Sequence, residues 1–124
     1  MILVDAAVWI DHFREADPVL DATLAADEVV MHPFTLGELH LGNFADRKRT
    51  LESLHTLPAS KLAEPAEVLS LIERERLHGR GVGYVDAHLL AAALLGDRVA
   101  LWTRDKRLLA VAHELGIAFK QALH

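Results

Sequence analysis

The chain has 124 residues, 52% hydrophobic and 25% charged, with no cysteine and a formal net charge of -5. That length suits one domain, here residues 1–124, able to bury a core without disulfides or thiolate-held metal. The acid excess excludes a uniformly basic nucleic-acid coat, and no apolar run reaches the roughly 18–20 residues of a membrane span. The opening Met1-Ile2-Leu3-Val4-Asp5 lacks the charged region and cleavage site of an export signal, so the expected location is the cytoplasm.

Met1–Val4 is apolar and β-branched, the pattern of a buried strand. Val8, Ile10 and Phe13 among polar positions predict a helix near Ala7–Arg14. Asp17-Pro18 opens a second helix to about Ala26, with Asp as N-cap and Pro in the first turn. Glu28–His32 reads as a second strand. Helices follow from Pro33 to about Phe44 and over Asp46–Leu57, and Pro58–Ala63 could add a short edge strand. Glu64-Pro65 starts a long amphipathic helix through Leu77, broken by Gly79, Gly81 and Gly83. Tyr84–Leu95 is apolar nearly all round, a buried helix. A strand at Val99–Thr103, a helix at Arg104–Leu115 and a strand at Ile117–Phe119 complete the chain. Strands separated by helices predict a three-layer α/β/α sandwich with a mainly parallel central sheet. Ligand sites in such sheets form beyond the carboxyl ends of the strands.

Four acids draw notice, two of them on that edge. Asp5 ends the first strand and Asp105 lies just past Val99–Thr103; a helix cap accounts for either one taken singly. Glu38 shares a helical face with Phe34, Leu41 and Ala45, where a carboxylate is costly unless paired or coordinated. Asp86 is the only acid on Tyr84–Leu95 and occupies its first turn, where the helix dipole favours it. Two carboxylates about 4 Å apart repel by about 1 kcal/mol in water and about 4 kcal/mol at an effective dielectric of 20. Four meeting in one pocket would therefore call for cations. Such hard oxygen donors suit Mg²⁺ or Mn²⁺, which can activate and orient water for phosphodiester hydrolysis.

Four segments carry a family resemblance over essentially the whole chain: Val4-Asp5-Ala6-Ala7-Val8-Trp9-Ile10-Asp11, Thr35-Leu36-Gly37-Glu38-Leu39, Gly81-Val82-Gly83-Tyr84-Val85-Asp86-Ala87-His88-Leu89 and Leu101-Trp102-Thr103-Arg104-Asp105-Lys106-Arg107-Leu108. Together, in this order, they resemble a PIN domain of the VapC-type toxin ribonucleases. The resemblance implies that Asp5, Glu38, Asp86 and Asp105 match the family's acidic quartet, which holds Mg²⁺ or Mn²⁺ and is catalytic in cutting RNA. It also implies a homodimer and a VapB-type antitoxin, which often places an Arg near the acids and neutralises them as a cation would. The chain departs from the family in carrying Ala6-Ala7 where a hydroxyl residue usually follows the first Asp. Thr103 is retained as a donor that could orient an acid from behind.

Arg104, Lys106 and Arg107 flank Asp105 and are candidate RNA phosphate contacts, while Arg47-Lys48-Arg49 reads more simply as a solvated face. The eight histidines lie no closer than eight positions apart, so short zinc-motif spacing is absent. His40 and His88 lie two positions from acids but on other helical faces. Trp9, Phe13, Leu20 and Leu24 read as core, with a partner groove as the lesser option. The alternative to an enzyme is a catalytically weak, protein-binding module of the same fold, suggested by Ala6-Ala7. An aspartyl-phosphate enzyme would need an acid where Ala7 stands.

Overall fold

A computed structural model describes residues 1–120. The elements in chain order are β1 (Ile2–Val4), α1 (Ala6–Arg14), α2 (Pro18–Ala25), β2 (Val29–Val30), α3 (Pro33–His40), α4 (Arg47–Leu54), α5 (Pro65–Arg74), α6 (Tyr84–Leu95), β3 (Ala100–Trp102) and α7 (Lys106–Glu114). The strands form a parallel sheet in the order β2-β1-β3. Leu3 pairs with Val30 and Leu101, and Val4 with Trp102.

Because side chains alternate across a strand, the sheet feeds two cores. Leu3, Val30 and Leu101 pack with Val68 and Leu71 of α5, the Ala87–Ala93 run of α6, and Leu108 and Val111 of α7. Ile2, Val4, Val29 and Trp102 face the other way, onto Val8 and Trp9 of α1, Leu20 of α2, Leu39 of α3, and Leu51 and Leu54 of α4. The three layers and the parallel sheet are those expected, and explain why all three strands are apolar on both faces. No helix among the described residues is long and apolar enough to cross a membrane.

Several element ends differ from the sequence expectation. Residues 58–63 and 117–119 supply only single bridges, Met31 to Ala59 and Leu101 to Ala118; Pro58 has no N–H with which to extend a ladder. α5 stops at Arg74 rather than Leu77, and Arg76 turns the chain with φ +52°. α3 ends at His40, before Gly42 and Asn43, both poor helix formers. Leu41 is 90% exposed, so the apolar stripe drawn through Phe34, Glu38, Leu41 and Ala45 does not exist. Glu38 itself is exposed as a residue, although its carboxyl is partly desolvated.

Candidate active site

All three strands run the same way, so their carboxyl ends share one edge of the sheet. β1 runs out into Asp5 and β3 into Thr103, Arg104 and Asp105; β2 leads through Met31 and His32 into α3, which carries Glu38. Asp86 arrives on the first turn of α6.

Asp5 is the N-cap of α1. One of its oxygens accepts from the Ala6 N–H at 2.8 Å and the other from the Thr103 hydroxyl at 2.9 Å. The buried Thr103 hydroxyl in turn accepts from the Asp105 N–H at 3.1 Å, so one hydroxyl ties together the ends of β1 and β3. Asp105 caps α7, its Oδ1 accepting from the N–H groups of Arg107 and Leu108 at 2.9 and 3.0 Å. Asp86 Oδ2 accepts from the Gly83 N–H at 3.2 Å. Capping thus accounts for Asp5 and Asp105 and partly for Asp86. It does not account for Glu38, whose carboxylate makes no hydrogen bond or ion pair among the described residues.

Electrostatics link the four. Loss of water raises the proton affinity of Glu38 above that of a free carboxyl, and the charges of Asp5 and Asp86 raise it further. Desolvation also raises that of Asp86; the Gly83 hydrogen bond works against this, while Asp5 and Asp105 add to it. The quartet is one coupled set of like charges. None of the ion pairs among the described residues includes any member of it. The salt bridge that could have explained Glu38 is therefore not among them.

No three Asp, Glu or His side chains among the described residues stand close enough together to form a ready metal cage. Carboxylates of one sign lower their energy by standing apart. A cation of the Mg²⁺ kind asks for less than a cage, since it keeps several waters and takes one or two carboxylates. Only oxygen donors are present, which suits such a hard ion.

The raised proton affinities have a measurable consequence. A carboxyl with a higher pKa folded than unfolded holds more protons in the native state between the two values, so stability falls as pH rises through that interval. In metal-free protein, Glu38→Gln therefore raises the melting temperature at neutral pH. The gain disappears below the ordinary carboxylate range of about 4, where the parent is protonated as well. Melting curves across pH check this; a Gln variant no more stable than the parent at neutral pH would show that Glu38 bears no repulsion.

The basic residues are arranged less simply. Arg104 donates to Asp11 and, at 2.9 Å, to Asp17, so a phosphate could reach it only by displacing carboxylates. This clamp joins positions 93 and 87 residues apart, and no local pattern signals it. Arg107 and Lys106 are exposed on the first turn of α7. Arg107 lies across the backbone of Gly81, where a Cβ would come within 2.5 Å of its side chain and φ is +79°. Trp9 and Leu20 are buried and Phe13 packs against the same core, as expected.

A family model for the PIN domain matches residues 2–114. Among characterised proteins, the chain is 46% identical over 121 residues to Ribonuclease VapC32 of Mycobacterium tuberculosis strain CDC 1551 / Oshkosh, covering 98% of each chain. It is similar to the same degree and extent to Ribonuclease VapC32 of strain ATCC 25618 / H37Rv.

Proposed function

The chain belongs to the PIN-domain family, in its VapC-type branch, and from that premise we propose that it is a Mg²⁺- or Mn²⁺-dependent endoribonuclease acting as the toxin of a toxin–antitoxin pair. One observation carries the assignment of the site. Glu38 and Asp86 have raised proton affinities, and each is coupled to Asp5, with no cation from the described residues to answer them.

In this reading Asp5, Glu38, Asp86 and Asp105 hold the metal. When bound, such an ion lowers the pKa of a water and stabilises charge on the phosphate oxygens. The chain supplies orientation. The Ala6 N–H and the Thr103 hydroxyl each fix one oxygen of Asp5, leaving lone pairs on both. The small side chains of Ala6 and Ala7 therefore do not leave Asp5 unaimed, because a backbone donor and a residue distant in sequence aim it. The raised proton affinity of Glu38 belongs to the metal-free site; a bound cation would reverse it and hold the carboxylate ionised, as a ligand must be. Lys106 and Arg107 position the RNA backbone, and Arg104 joins them only by exchanging its present partners. Phosphate contacts of this kind set register without selecting sequence.

The proposed partners are a VapB-type antitoxin and a second copy of the chain. Phe34 and Tyr84, exposed on the first turns of the helices that carry Glu38 and Asp86, offer apolar contact beside the acids.

The test is cleavage of RNA at sub-stoichiometric protein with Mg²⁺, with Mn²⁺ and with EDTA. Multiple turnovers with either metal and none after chelation are expected. Turnover that persists in EDTA would defeat the metal assignment, and stoichiometric RNA or protein binding without cleavage would favour the binding-module reading.

A further inference from the structure

The loop from Gly79 to Gly83 is held at three points. Arg80 donates two hydrogen bonds, at 2.7 and 2.9 Å, to the carboxylate of Glu114 on α7. Val82 packs against the core, and the Gly83 N–H donates to Asp86 at 3.2 Å. Between these anchors stands Gly81, covered by the end of the Arg107 side chain: a Cβ there would lie 2.5 Å from Cδ and from a terminal nitrogen. Arg107 rises from the first turn of α7, with its backbone N–H bonded to Asp105 at 2.9 Å. One residue thus has its main chain tied to one acid of the quartet and its guanidinium resting on the loop that anchors another.

Arg107 is exposed, and its guanidinium enters none of the ion pairs among the described residues. Arg104, by contrast, is held by Asp11 and Asp17. Resting on a backbone rather than paired with an acid, Arg107 keeps its donors for a phosphate. A long side chain also loses less rotamer freedom on capturing a ligand when it is already laid in one direction. We propose that Gly81 is a positioning residue for RNA: having no side chain, it seats the Arg107 guanidinium on the loop that anchors Asp86, where it takes a phosphate of the substrate. This rests on the ribonuclease reading and adds to it the residue that aims the phosphate contact. A larger residue at position 81 evicts the guanidinium, and the eviction costs little stability because the end of Arg107 is free to swing into water.

Affinity for an oligouridylate is measured in EDTA over a range of salt for the parent, Arg107→Ala, Gly81→Ala, the double variant and Gly79→Ala, with melting curves for each. Phosphate contacts ignore base sequence, so the probe need not be the natural substrate. Gly79→Ala is the control for backbone strain: Gly79 has φ +74° against +79° for Gly81, but a Cβ there meets nothing within 4 Å. The two glycine variants should therefore melt alike, slightly below the parent. Arg107→Ala and Gly81→Ala should each weaken binding about tenfold or more and flatten the dependence of log affinity on log salt by about 0.7, one phosphate's share. The double variant should bind no worse than Arg107→Ala, and Gly79→Ala should bind as the parent does. Parent-like affinity and salt dependence in Gly81→Ala would overturn the proposal, as would additive losses in the double variant or an equal loss in Gly79→Ala. A parent that cuts no RNA with metal would defeat the ribonuclease reading separately, and the binding comparison would still decide the role of Gly81.

Discussion

Asp86→Asn is expected to lower RNA cleavage by at least about 10²–10³-fold, the scale on which loss of one charge-stabilising group acts in a preorganised site. The substitution keeps a side-chain oxygen that can accept from Gly83 N–H, so the start of α6 keeps its cap. It removes the charge that Asp5 and Asp105 oppose. The variant should therefore melt no lower than the metal-free parent at neutral pH. It should also gain less stability from Mg²⁺ or Mn²⁺, because stabilisation by a ligand grows with the logarithm of its affinity for the folded state. The combination is diagnostic. A structural acid, once removed, lowers stability and leaves the rate per folded molecule alone, whereas a working acid does the reverse. Single-turnover cleavage beside thermal denaturation, with and without metal, separates the two. Parent-like cleavage by Asp86→Asn would remove it from the site.

Trp9→Ala carries the largest expected loss of stability, about 3–5 kcal/mol, against a total of about 5–15 kcal/mol for a domain. Trp9 is 1% exposed and packs in the core under Val4 and Trp102 of the sheet, with Phe13 beside it at a ring separation of 6.1 Å. It sits one turn after Asp5, and its N–H bonds to the Asp5 carbonyl at 3.3 Å, so loosening it also loosens the first acid. Trp9→Phe should cost much less. It gives up volume but also removes an indole N–H that has no partner among the described residues, and a buried unpaired donor costs about 1–3 kcal/mol. Urea denaturation of both variants measures the difference. A parent-like midpoint for Trp9→Ala, coupled to loss of antitoxin binding, would instead make this residue part of a partner groove.

The layered architecture was legible because local patterns report burial. Apolar strands bounded by turns, an all-round apolar α6, and Asp17-Pro18 and Glu64-Pro65 at helix starts each depend only on near neighbours. The weak points were the shortest pairings. A single bridge at Ala59 or Ala118 leaves almost no periodicity to read, and the end of α3 turned on Gly42 and Asn43 rather than on the apolar spacing through Leu41 and Ala45.

The candidate site divides along the same line. Residue type and place beyond a strand end singled out Asp5 and Asp105, position on apolar helices singled out Glu38 and Asp86, and family resemblance joined the four. What the acids experience was decided by the fold: Thr103 reaching across 98 residues to Asp5, Arg104 drawn aside by Asp11 and Asp17, and Glu38 burdened by loss of water and by the charges of Asp5 and Asp86. His40 and His55, 15 positions apart, came together in the same way, their Nε2 atoms at hydrogen-bond distance. Sequence by itself settled which chemical groups the chain owns and which faces it must bury, because hydrophobic periodicity is local. Only tertiary structure decided which charges and rings meet, because Coulomb forces and hydrogen bonds act through space and take no account of distance along the chain.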